Sequence, residues 1–263
     1  MRIAAFLLFI TLLVPGSVKA REKSSPVTIL LLGDSTCIGS VCRMVAPDAD
    51  HLEAIIEKLL AAEKDLPPTK VINQGRDGEF IHGLLTSGRY DKEIAPLENV
   101  DYVLIRFGIN DRNKRDDFAE KFPGDYRELL ERLRKDHPKA RLIPLTIIPY
   151  MGAERDKEVN DIIREIAKER ELTLLDMHER YAAELKQGEN MLNYRRVAIT
   201  NIPERFHALL GSARNGDSVV VLDNRLDAHL SAVPGWFGDR HPNLAGYHVI
   251  GDETARFLTL LLR

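Results

Sequence analysis

The chain predicts an α/β fold with a central parallel sheet covered on both faces. Three observations predict it. Short apolar runs alternate with segments of helical period, the pattern of a parallel sheet covered on both faces. Polar, glycine-containing clusters follow the runs, which is where open parallel sheets gather their ligands. No internal repeat, low-complexity tract or Gly/Ser linker interrupts the 263 residues, so a single large domain with its own core is the expectation for residues 21–263.

Residues 1–20, MRIAAFLLFITLLVPGSVKA, combine a basic Arg2, an apolar stretch from Ile3 to Val14 and small residues approaching Ala20. That pattern reads as a signal peptide cleaved after Ala20. The stretch is shorter than the roughly 20 residues a membrane-spanning helix needs, so the mature protein is expected to be secreted or periplasmic, without stable membrane insertion. The formal net charge is −3 and becomes two units more negative once Arg2 and Lys19 are removed. Such mild acidity gives no reason to expect nucleic acid or an anionic membrane as partner.

Strands are expected at 27–32 (VTILLL), 69–73 (TKVIN), 101–107 (DYVLIRF), 141–147 (RLIPLTI) and 172–175 (LTLL). Between them lie helical stripes. Leu52, Ile55, Ile56, Leu59 and Leu60 follow a capping box formed by Asp50 and Glu53, and Tyr126, Leu129, Leu130 and Leu133 follow another formed by Asp125 and Glu128. Val159, Ile162, Ile163 and Ile166 make a third stripe, and a last helix runs from about Leu244 with Asn243 as its cap. The stretch from about 188 to 240 has no strand–helix rhythm and reads as a long excursion carried on the sheet; long excursions in compact domains are often functional. Cys37 and Cys42, the only cysteines, are read first as small buried apolar residues, with a disulfide as the alternative if the backbone breaks near Gly39.

The chemistry lies in the clusters. Gly33-Asp34-Ser35 follows the first strand, NQGRDG (73–78) the second and GIND (108–111) the third, so all three converge on one crevice. Ser35 offers a hydroxyl at the start of a helix, Gly78 a backbone N–H with no side chain in the way, and Asn110 an amide NH2. These are the parts of acyl transfer through an oxyanion hole. His241, in WFGDRHPN before the last helix, supplies a base, and Asp239 a carboxylate to orient it.

Together these blocks resemble the SGNH or GDSL hydrolase superfamily: Gly33-Asp34-Ser35 its nucleophile block, Gly78 its oxyanion glycine, Gly108-Ile109-Asn110-Asp111 its G-x-N-D block, and His241-Pro242-Asn243 its terminal histidine block. The match is in the right order over nearly the whole mature chain. The resemblance implies a three-layer, flavodoxin-like α/β/α fold with a central parallel sheet, the SGNH hydrolase fold, and an esterase without metal or other cofactor, whose oxyanion hole is made by the Ser35 N–H, the Gly78 N–H and the Asn110 side chain. One position departs from the family pattern, Asp-x-x-His: Gly238 stands three before His241, and the acid is Asp239. Asp239 acting through a different turn, Asp223 or Asp227 from the excursion, and a Ser-His pair with a backbone carbonyl all remain open.

Arg76, Arg112, Arg195, Arg196 and Arg240 flank the motifs and are candidates to clamp a carboxylate or sulfate of a substrate, or else pair with neighbouring acids. Trp236 offers a face for a sugar ring, or anchors a long loop. Taken with the expected export, and with the similarity to secreted carbohydrate esterases, the reading is an esterase removing short acyl groups, chiefly O-acetyl, from carbohydrate. A lipid esterase, lysophospholipase or thioesterase on the same fold, and a polysaccharide-binding protein impaired by the shifted acid, are the alternatives. No G-x-S-x-G elbow, dinucleotide fingerprint or P-loop is present.

Overall fold

The structure, a computed structural model, describes residues 26–188 and 190–263; the leader expected over 1–20 lies outside the described residues. Four parallel strands, β1 (Val27–Gly33), β2 (Thr69–Asn73), β3 (Tyr102–Arg106) and β4 (Arg141–Pro144), form a sheet in the order β2-β1-β3-β4. The run expected at 172–175 contributes only a parallel bridge, Leu145 to Leu175, at the edge beyond β4.

Strand geometry sends successive side chains to opposite faces, and both faces here are dry. Ile29, Leu31, Leu104 and Ile143 enter the core beneath the helices Leu52–Ala62, Met177–Leu185 and Leu244–Leu262. Leu30, Leu32, Val103, Ile105 and Leu142 enter the opposite core, beneath Ile81–Thr86, Phe118–Asp136 and Ala153–Glu169. This double burial is why the strands read as continuous apolar runs and not as alternating ones.

Two helix starts differ from the sequence reading. His51 caps the Leu52 helix without a side-chain bond, because Asp50 pairs with Lys58 and Glu53 with Arg43. The helix expected near Tyr126 begins at Phe118 and runs through Pro123, leaving Asp125 buried inside it and paired with Arg115. Pro123 falls in the second turn, where it leaves the Ala119 carbonyl without its helical amide partner. Asn243 caps the last helix as expected, its side chain accepting from the Gly246 amide.

The excursion carries its own antiparallel sheet, β5 (Arg195–Ala198), β7 (Ser218–Val221) and β6 (Arg214–Asn215), in the order β5-β7-β6. Val197, Ile202, Leu210, Val219, Val221, Leu230 and Trp236 pack into a separate apolar cluster against it. Cys37 and Cys42 are free and buried. The backbone does break between them, Gly39 closing the first short helix at φ 67°, and burial pushes both thiols up to about 12.

Candidate active site

The strand order reverses direction between β1 and β3, and ligands of open sheets bind beyond the strand ends at such a point. Gly33 ends β1 there. A Cβ at this position would lie 2.8 Å from the Arg106 carbonyl oxygen and 2.9 Å from Cys37 Cβ, so only glycine lets the turn fold back so tightly. Asp34 then caps the one-turn helix Ser35–Ile38, its Oδ1 accepting from the Thr36 amide at 2.8 Å and the Thr36 hydroxyl at 2.7 Å. Burial raises the Asp34 carboxyl, with those hydrogen bonds and the Arg106 charge opposing. Below the turn the guanidinium of Arg106, 3% exposed, donates to the Thr36 carbonyl at 2.5 Å, and the Tyr247 hydroxyl to the Ser35 carbonyl at 3.3 Å. Ser35 stands at the first helical position, where the amide has no carbonyl partner within the helix.

His241 is brought to Ser35 from the other end of the chain. The segment Leu192–Tyr194 lies against it: Asn243 donates its amide to the Leu192 carbonyl at 2.8 Å, Tyr194 donates to the His241 carbonyl at 3.3 Å, and Asn193 bridges Pro242. The imidazole Nε2 is then 2.9 Å from Ser35 Oγ, and Nδ1 is 2.6 Å from Asp239 Oδ1. The same Oδ1 accepts the His241 amide at 3.0 Å. That bond to the backbone two residues on is an Asx turn, and it shows how an acid one position nearer than the family pattern still meets the ring. Asp239 Oδ2 pairs with Arg196 at 2.7 Å. Burial works against the charge on Asp239, but the hydrogen bonds from His241 and the nearby charges of His241 and Arg196 outweigh it and hold the carboxyl below its usual range.

Two tyrosines enclose the imidazole. Tyr194 stacks on it, with 5.7 Å between centroids and 9° between planes, and carries the Arg196 guanidinium over its own ring. Tyr150 meets it edge-on at 90°, its hydroxyl 3.0 Å from Nδ1 and 3.2 Å from Nε2. The sequence reading passes over both. Tyr150 ends the apolar stretch LTIIPY after the fourth strand, a strand end the convergence rule covers but no polar cluster marks; Tyr194 has no motif around it and comes to the ring only through the pairing of the Leu192–Tyr194 segment.

Ser35, Gly78, Asn110, Tyr150, Tyr194 and His241 line one cavity of about 330 Å³. Gly78 sits in a left-handed turn, φ 69°, with the Lys114 ammonium on its carbonyl. The Asn110 amide donates to the Glu79 carbonyl at 3.1 Å, which leaves its second N–H free to donate elsewhere. Asp111 is buried and braces this wall by accepting the Ile81 amide at 2.8 Å. Burial pushes its carboxyl up to about 7, the amide bond opposing.

The substrate-binding candidates fare differently. Trp236 is 1% exposed and donates its indole N–H to Asp227 at 2.8 Å, so it is the anchor of the excursion and no platform for a sugar. Asp227 is taken up by Trp236 and Arg195, and Asp223 by Arg225, so neither acid reaches His241. Arg195 is buried in that pair, while Arg196 engages Asp239. Arg112 pairs with Glu158 at 2.6 Å and lies over Phe118; Arg76 is exposed on the Gly78 turn, outside the cavity lining. Arg240 is exposed and lines a second cavity, on the other side of Tyr150. Among the described residues no three His, Cys, Asp or Glu side chains gather as a metal site, and no helix is long and apolar enough to cross a membrane.

A serine hydroxyl on an imidazole that is itself held by a carboxylate, at the switch point of a parallel sheet, is the arrangement of an ester hydrolase. The model of the GDSL-like Lipase/Acylhydrolase family matches residues 31–249. The chain belongs to this family. It is accordingly a GDSL-type serine ester hydrolase on the α/β fold with a central parallel sheet. Solved structures with the same fold include a lipase/acylhydrolase from Enterococcus faecalis, 19% identical, TM-score 0.57, with 90% of this chain and 97% of that one covered. The acetylxylan esterase Axe2 from Geobacillus stearothermophilus is 18% identical, TM-score 0.55, covering 89% of this chain and 94% of its own. A G-D-S-L lipolytic protein from Desulfitobacterium hafniense is 18% identical, TM-score 0.52, at 88% and 98% coverage. No curated protein sequence matches this GDSL hydrolase.

Proposed function

We propose that this GDSL hydrolase removes short acyl groups, chiefly O-acetyl, from carbohydrate through an acyl-enzyme on Ser35. The observation that carries the proposal is the continuous relay from Ser35 Oγ through His241 to Asp239, at 2.9 and 2.6 Å, opening on a cavity of about 330 Å³. A cavity of that size suits a small acyl group better than a long chain.

Ser35 Oγ attacks the ester carbonyl carbon while His241 Nε2 takes its proton. Nδ1–H donates to Asp239, which stabilises the imidazolium. The negative charge on the former carbonyl oxygen is met by the Ser35 and Gly78 amides and the Asn110 NH2. Collapse expels the sugar alkoxide, which receives the proton from His241. A water activated by the same imidazole then attacks the acyl-enzyme, releasing acetate and restoring Ser35. Export, supported by the leader-like residues 1–20, would bring the enzyme to polysaccharide, and acetylxylan esterase neighbours lend the substrate class weight.

Initial rates on 4-nitrophenyl acetate, butyrate and octanoate, beside acetate release from acetylated xylan, test the reading. Turnover that declines with acyl length, and a fall of about 10³-fold or more in Ser35→Ala, is expected. A preference for octanoate, or unchanged turnover in Ser35→Ala, overturns it.

A further inference from the structure

A second cavity, of about 440 Å³, adjoins the first across Tyr150, which lines both. Its lining differs in charge. Arg240 and Lys186 stand on it, both exposed, with His178. The single acid among its lining residues, Asp156, is 2% exposed and turned onto backbone, its two oxygens accepting the amides of Tyr150 and Met151 at 2.9 Å each. Among the described residues the cavity therefore presents two cations and no available carboxylate.

It also holds polar groups suited to hydroxyls. Asn193 is 4% exposed, lines the cavity, and its Oδ1 has no hydrogen-bond partner. A buried amide oxygen left unpaired costs free energy, which Asn193 would recover by turning its side chain onto a bound hydroxyl. His178 Nδ1 lies 3.0 Å from the Ile147 carbonyl; a carbonyl only accepts, so Nδ1 carries the proton and Nε2 is left as a second acceptor. Leu185 and the ring of Tyr150 add apolar surface, the complement of the C–H face of a sugar.

We propose that this second cavity is a subsite for an anionic sugar unit neighbouring the esterified one, its carboxylate or sulfate held by Arg240 and Lys186. The proposal rests on the esterase reading of Ser35 and deepens it: the substrate class is an O-acetylated acidic glycan. Tyr150 is the partition, with its hydroxyl on His241 and the second cavity beyond it, so one chain can place its ester at Ser35 and its anionic neighbour at Arg240. An arginine fork matches a planar carboxylate or a sulfate, and the exposed lysine adds a point charge.

The test begins with binding, which needs no turnover. Trigalacturonate, xylotriose and a sulfated galactan trisaccharide are titrated calorimetrically into the full chain and into Arg240→Ala, Arg240→Lys and Lys186→Ala, with unfolding midpoints as the fold control. At least one anionic trisaccharide should bind about tenfold or more tightly than xylotriose, should weaken about tenfold in Arg240→Ala, and should recover partly in Arg240→Lys. The tighter of the two identifies the oxyanion as carboxylate or sulfate. Equal affinity for all three, or anion binding untouched by Arg240→Ala and Lys186→Ala, overturns the subsite. With acetylated pectin and acetylated xylan as substrates, Arg240→Ala should raise KM for the pectin alone and leave the two kcat values in the wild-type ratio; an equal loss on both overturns it too. Failure of Ser35→Ala to abolish 4-nitrophenyl acetate turnover would sink the esterase reading instead, and the calorimetry separates the two failures.

Discussion

The sheet frame and the 188–240 excursion contribute to the site in different ways. The frame supplies Ser35, Gly78 and Asn110 from loops at strand ends, braced by carboxylates of those same loops: Asp34 under Ser35, Asp111 behind the Gly78–Ile81 loop. The excursion contributes Tyr194 and Arg196, and the final loop adds Asp239 and His241, which are joined to each other by a local turn and held against the excursion by partners distant in sequence. The comparison teaches that the Ser35 hydroxyl is positioned by the turn at a strand end, whereas the His241 imidazole is oriented by its own turn and by packing between the excursion and the loop before the last helix.

The sharpest break between the two is Asp239→Asn. It keeps the shape but removes the acceptor that fixes the imidazole tautomer, and kcat should fall about 10³–10⁴-fold with little change in KM. A loss below tenfold would show that Ser35 and His241 work without the acid.

Next comes Trp236→Ala, which opens the excursion core and leaves the Asp227–Arg195 pair without its indole donor. Truncation of a buried tryptophan costs about 3–5 kcal/mol. Amide hydrogen exchange should quicken in 195–236 and stay slow in β1 and β3, with kcat falling because Tyr194 and Arg196 lose their support. Uniform quickening across β1 and β3 would mean that the two regions unfold as one.

Asp111→Asn sharpens the frame side. The folded-state carboxyl is raised to about 7 from an unfolded value of 3.8, so the wild type pays no penalty below pH about 4, loses stability as pH rises to about 7, and levels off above. Asparagine can keep the acceptor for the Ile81 amide and removes that slope. The variant should gain on the wild type by a few kcal/mol between pH 4 and 8, read from unfolding midpoints; parallel pH profiles would count against a buried Asp111 charge.

The smallest effect is expected from Arg196→Ala. Its guanidinium is partly exposed, so losing the pair with Asp239 should lower kcat about tenfold and leave KM within about twofold. Arg196→Lys should restore part of it. An unchanged kcat in Arg196→Ala would assign the residue to packing alone.

Much of this was legible early. The apolar runs placed all four strands of the main sheet to within three residues at either end, because strands buried on both faces must be apolar throughout. The convergence of clusters after β1, β2 and β3 follows from chain direction alone. The capping box at Asp50–Glu53 misled because both acids had stronger partners, Lys58 and Arg43, which a local pattern does not contain. Trp236 misled for the same reason: a buried anchor and an exposed platform are the same letter until its surroundings are known.

By itself, the sequence determined the fold class, the family blocks and the identity of Ser35 and His241 as candidates, since periodicity, glycine and strand polarity are properties of short segments. Only the tertiary structure decided which acid meets His241, that Arg196 faces Asp239 while Arg195 is buried against Asp227, and that Tyr150 stands between two cavities of different charge. Apart from the Asx turn that joins Asp239 to His241, those are contacts between residues 32 to 91 positions apart, and their distances are set by packing between segments, which no local rule specifies.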